Sequence, residues 1–174
     1  MINKGFGGAN TLTGLKFEKA KDVISLLKKT PGYSVKGNVI FYMKKEVAQS
    51  YKKYDLYRYL KSKGIDWESH LSKRLVPDEA LYVIVNNTLF IIEMKFQKTE
   101  GSVDEKLQTC DFKKKQYQKL VASLNVEVEY IYLLSNWFKK PKYKDMLDYI
   151  ISAGCHYHFN YLPLHELGLP VPTV

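Results

Sequence analysis

Near the start of the chain Phe17, Ala20, Val23, Ile24 and Leu27 keep helical spacing. They predict a helix over 14–29, with Asn10, Thr11 and Thr13 as N-cap candidates and Pro31-Gly32 as its stop. Residues 35–44, VKGNVIFYMK, carry a strand pattern, and 46–62 read as a second helix, rich in tyrosine and lysine and stopped at Gly64. Two apolar runs follow, LYVIV (81–85) and LFIIEMKF (89–96), joined by Asn86-Asn87. Leu107, Cys110, Tyr117, Val121 and Leu124 mark a helix over 104–124. A strand is expected over 126–134, a helix over 141–152 closed by Gly154, and a short strand around 155–161. The alternation predicts an α/β fold with a mixed central β-sheet flanked by helices.

No repeat, low-complexity tract or linker divides the chain, so 1–174 is expected to form a single domain. No apolar run approaches the roughly 20 residues of a membrane span, and MINKGFGGANTLTG lacks the apolar segment of a secretory signal. Cys110 and Cys155 lie far apart in sequence without metal-ligand spacing and read as core thiols. A cytoplasmic protein with no membrane partner is expected. The 27 Lys and Arg outnumber 18 Asp and Glu, for a net charge of +9. This excess suits a polyanion such as nucleic acid. A lysine-rich composition gives the same excess with no partner at all, so charge leaves the question open.

The hairpin is more specific. A two-residue turn at Asn86-Asn87 would place Val85 opposite Thr88, Ala80 opposite Glu93 and Asp78 opposite Lys95. Side-chain alternation then puts Asp78, Glu93 and Lys95 on one face. Two acids and a lysine in so apolar a hairpin lose solvation unless they pair with one another or with a metal. The alternative is an exposed strand end with a weak cross-strand ion pair. Cys155-His156-Tyr157-His158 lacks a second ligand pair and is explained by strand alternation.

Pro77-Asp78, a hairpin and then Glu93-Met94-Lys95 resemble the signature of the PD-(D/E)XK nuclease superfamily. The surrounding phrases GGANTLTGLKFE, QKTEGSVDEKLQT and GCHYHFNYLPL resemble those of small type II restriction endonucleases. The likeness spans most of the chain and is weakest over 46–70. It implies a restriction-endonuclease-like core and hydrolysis of double-stranded DNA at a specific sequence. Asp78 and Glu93, with Glu18 and the Met94 carbonyl, would hold Mg²⁺, for which Mn²⁺ could substitute. Lys95 would hold or deprotonate the attacking water.

One centre cuts one strand, so symmetric cleavage implies a homodimer, and a restriction enzyme implies a cognate DNA methyltransferase. Lys73 and Arg74 are placed for phosphate contacts, Gln97 lies beyond Lys95 on its face, and Lys113 belongs to the following helix. Arg58, within YKKYDLYRYLKSK, is a candidate for reading guanine. Each is also an ordinary surface residue. A junction-resolvase-like repair nuclease and a non-catalytic DNA-binding protein are the competing expectations.

Overall fold

The computed structural model describes residues 13–17, 22–98 and 103–173. Seven strands form one sheet in chain order: β2 (Tyr33–Lys36), β3 (Val39–Tyr42), β4 (Lys45–Tyr51), β5 (Glu79–Val83), β6 (Thr88–Lys95), β7 (Glu127–Leu134) and β8 (His156–Phe159). β2 to β6 are antiparallel neighbours, whereas β6, β7 and β8 are parallel. Parallel neighbours need long crossovers. α3 (Val103–Lys106) and α4 (Cys110–Val121) lie between β6 and β7, and α5 (Lys144–Ser152) between β7 and β8. The expected mixed sheet flanked by helices is therefore present.

The sheet buries both faces. On the first, Ala80, Leu89, Ile91, Tyr130, Tyr132 and Leu134 pack with α4, α5 and α2 (Asp55–Ser62). On the second, Leu81, Val83, Phe90, Ile92 and Leu133 pack with α1 (Val23–Leu27) and a two-stranded ribbon of β1 (Gly14–Lys16) and β9 (Tyr161–Pro163). Burial on both faces explains the nearly unbroken apolar runs of β5 and β6. Cys110 and Cys155 are free and buried in the first core. Among the described residues no helix is long and apolar enough to cross a membrane.

Four sequence expectations are corrected here. The helix over 14–29 is a strand at Gly14–Lys16 followed by a helix beginning only at Val23, where the Asp22 carboxylate accepts the Ser25 N–H at 2.7 Å. Leu15 and Phe17, read as part of a helical stripe, alternate into the second core. Asn10, Thr11 and Ala20 lie outside the described residues.

The strand over 35–44 is instead two short strands, β2 and β3, turned by Gly37 at φ +61°. The helix over 46–62 is β4 followed by α2. The residues of β4 have weak strand preference, but lying between β3 and β5 it gains hydrogen bonds on both edges and buries Val47, Ala48, Ser50 and Tyr51. The terminal strand over 155–161 is also split, because Asn160 at φ 52° breaks it into β8 and β9.

Candidate active site

β5 and β6 pair as Val83 with Thr88, Leu81 with Phe90 and Glu79 with Ile92. The connection is the four residues 84–87, with Asn87 at φ 51°, rather than Asn86-Asn87 alone. Asn87 anchors it by accepting from the Tyr82 hydroxyl and donating to the Asn125 carbonyl, both at 2.8 Å. The expected opposition of Ala80 to Glu93, and of Asp78 to Lys95, is thus displaced by two residues. An even displacement leaves every side chain on its original face, so Asp78, Glu93 and Lys95 still converge.

Asp78, just before β5, accepts the Met94 N–H through Oδ2 at 2.8 Å. Lys95 Nζ lies 2.8 Å from Glu93 Oε2 and 3.6 Å from Asp78 Oδ2. Lys113, on α4, reaches Glu93 Oε2 at 3.8 Å. The side chain of Asp78 is 46% exposed whereas Glu93 is 6% exposed, so the cluster opens toward solvent on the Asp78 side. Burial acts to lower the pKa of Lys95, but the charge and hydrogen bond of Glu93, followed by those of Asp78, outweigh it and raise it. Lys95 is therefore cationic at neutral pH.

Tyrosines floor the cluster. Tyr117 and Tyr130 are buried, and burial foremost, with the charge of Glu93 next for Tyr130, pushes the latter's phenol upward. The Tyr130 hydroxyl has no hydrogen-bond partner among the described residues. Glu79 points the other way: its carboxylate accepts from the Ser50 hydroxyl at 2.6 Å and the Val23 N–H at 3.0 Å. Glu79 therefore stands apart from the Asp78, Glu93 and Lys95 cluster.

The residues fit a hard divalent cation in part. Asp78 Oδ1 and Glu93 Oε1 are not the atoms engaged by Met94 and Lys95, and carboxylate oxygens are the donors such ions prefer. Among the described residues no group of three His, Cys, Asp or Glu is placed to hold a metal. Glu18, the expected third acid, lies outside the described residues. Met94 enters the cluster through its amide N–H.

The other sequence candidates separate. Gln97 is held by its backbone, the Ser135 Oγ accepting its N–H at 3.2 Å and donating to its carbonyl at 3.0 Å. Lys73 is exposed in the segment before β5. Arg74 lies over the rings of Tyr54, Trp67 and Tyr57 at 4.6, 5.3 and 5.4 Å, packed against α2 rather than among the acids. Arg58 is exposed and pairs with Asp55. Both arginines line an open groove of about 860 Å³ with Tyr54, Lys61 and Trp67. Of the DNA-contact candidates, Lys113 reaches the acidic cluster. Sequence reasoning missed Tyr130 and Ser135. Tyr130 had a signal in the alternation of Glu127–Leu134, whereas Ser135 became visible only with the β6–β7 register.

No protein-family model, curated protein or solved structure matches the chain.

Proposed function

We propose that this chain is a Mg²⁺-dependent endodeoxyribonuclease of the PD-(D/E)XK type. In this reading the mixed sheet is a restriction-endonuclease-like core and the substrate is double-stranded DNA cut at a specific sequence by a homodimer. One observation carries the reading: a single ammonium, Lys95, bridges two carboxylates at the mouth of the β5–β6 hairpin. An isolated structural ion pair would need only one acid. Two acids, one nearly buried and one facing solvent, leave oxygen atoms for a further cation.

Asp78 and Glu93 would hold the ion, which when bound supplies Lewis acidity and neutralises phosphate charge. The chain's own part follows from its geometry. The amide of Met94 orients the Asp78 carboxylate, and Glu93 holds the Lys95 ammonium in place. Being cationic, Lys95 donates hydrogen bonds: it orients the attacking water and stabilises charge developing on the phosphate. Its raised pKa makes it a poor proton acceptor until carboxylate charge is neutralised. Lys113 adds a second positive charge near Glu93.

The test is incubation with plasmid DNA and Mg²⁺, followed by sequencing of the ends. Discrete fragments sharing one end sequence, lost in EDTA and in Asp78→Ala, support restriction. Cutting confined to branched DNA moves the assignment to a resolvase. Metal-independent binding with no cutting, unchanged in Asp78→Ala, refutes the nuclease.

A further inference from the structure

We infer that Lys139 and Lys140 form a clamp for the phosphates of duplex DNA beside the acidic cluster. The location of the strand rests on the nuclease reading; the clamp itself rests on separate residues. The sheet register sets Lys95 beside Leu134 and Leu134 beside Phe159. These three share a row and therefore a face, and neighbouring strands are about 4.8 Å apart, which puts Phe159 roughly 10 Å from Lys95. The Lys139 ammonium lies over the Phe159 ring, 5.1 Å from its centre. The Lys140 ammonium lies 3.1 Å from the centre of the Trp137 ring.

This segment is seated firmly at the mouth of the sheet. Ser135 donates its N–H to the Lys95 carbonyl at 3.0 Å, and Phe138 donates to the Ser135 carbonyl at 3.2 Å. The Phe138 ring is fully buried, and the Trp137 indole N–H donates to the Tyr143 hydroxyl at 2.8 Å. Aromatic faces hold an ammonium without cancelling its charge. Lys114, Lys115 and Lys144 each meet a carboxylate on Glu129, Asp111 and Asp148. Among the described residues Lys139 and Lys140 meet none at ion-pair distance. Two exposed, ring-supported and locally uncompensated cations match a row of phosphates.

Binding of a fluorescein-labelled DNA duplex is measured by anisotropy in EDTA over a range of salt concentrations. Each lost phosphate contact reduces the slope of log affinity against log salt by about 0.9, so Lys139→Ala/Lys140→Ala should reduce it by about 1.8. Lys139→Arg/Lys140→Arg should keep the wild-type slope, which separates charge from folding. Lys28→Ala/Lys29→Ala removes equal charge after α1, on the opposite face, and should leave the slope unchanged. An unchanged slope in the 139/140 alanine variant, or equal losses from both alanine pairs, overturns the clamp. So does wild-type protein that binds no duplex. A chain that never cuts DNA with Mg²⁺ but shows the selective slope change refutes the nuclease and leaves the clamp standing.

Discussion

Asp78 and Glu79 are consecutive, yet their carboxylates end on opposite faces of the sheet. Asp78 accepts the Met94 N–H beside Lys95, and Glu79 accepts the Val23 N–H and Ser50 hydroxyl beneath α1. One acid is available for chemistry and the other anchors a helix. Their substitutions should therefore differ in kind.

Asp78→Asn should spare the fold and abolish the metal response. The side chain is 46% exposed, so unfolding free energy without metal should stay within about 1 kcal/mol of wild type. Mg²⁺ at 100 times its dissociation constant stabilises a protein by about 2.7 kcal/mol, read as a rise in Tm. Wild type should show that rise and Asp78→Asn should not. An equal rise in both removes Asp78 from the ligand set.

Lys95→Met should reduce cleavage by about 100-fold or more, on the scale of losing one donor to a developing oxyanion. Among the described residues it also leaves the nearly buried Glu93 with Lys113, at 3.8 Å, as its remaining ion-pair partner, and should destabilise by about 1–3 kcal/mol at neutral pH. The folded-state pKa of Lys95 is raised above 10.5, so its stabilisation is complete below that pH and declines as pH rises through the folded value. Urea unfolding should show wild type and variant converging above pH 10.5. A gap that stays constant there would exclude the ion pair as its cause.

Glu79→Gln should change the pH dependence rather than the chemistry. Burial, outweighing the Ser50 and Val23 hydrogen bonds, raises the Glu79 pKa above 4.5. A raised acid stabilises the fold most when protonated, and that advantage shrinks as pH rises from 4.5 through the folded value. The stability of wild type relative to Glu79→Gln should therefore be greatest near pH 4.5 and fall toward neutrality. Paired denaturation curves give the difference directly, and a difference independent of pH would disprove the assignment.

Tyr130→Phe removes a buried hydroxyl that lacks a hydrogen-bond partner among the described residues. The expected result is a gain of about 1 kcal/mol or no change, measured by thermal unfolding. A loss above about 1 kcal/mol would mean that the hydroxyl is bonded in solution.

The faces of β5 and β6 were legible because alternation depends only on parity. The turn was assigned two residues where the chain uses 84–87, and the error cancelled because a displacement of two preserves every face. The strand expected over 126–134 is β7. The single helix expected over 104–124 is divided, because a 3-10 turn at Leu107–Thr109 separates α3 from α4, although Leu107, Cys110, Tyr117 and Val121 are all buried. The first half was not legible, because Leu15 and Phe17 satisfy both a helical stripe and a two-residue alternation, and only pairing of β1 with β9 decides between them. β4 was hidden for a related reason: its Lys, Glu, Ala and Gln favour helix locally, and its neighbours overrule them. Lys113 entered as one of several helix lysines, and its approach to Glu93 depends on how α4 crosses the sheet.

β6 is the pivot of the sheet, antiparallel to β5 and parallel to β7. Its hairpin with β5 closes over a short contour, on the microsecond scale of isolated hairpins, whereas pairing with β7 awaits the whole crossover through α3 and α4. Asp78, Glu93 and Lys95 can thus meet early during folding, before Lys113 or the segment after Ser135 arrives. By this contour-length argument the acids can acquire their internal counter-ion before the crossover helices are packed.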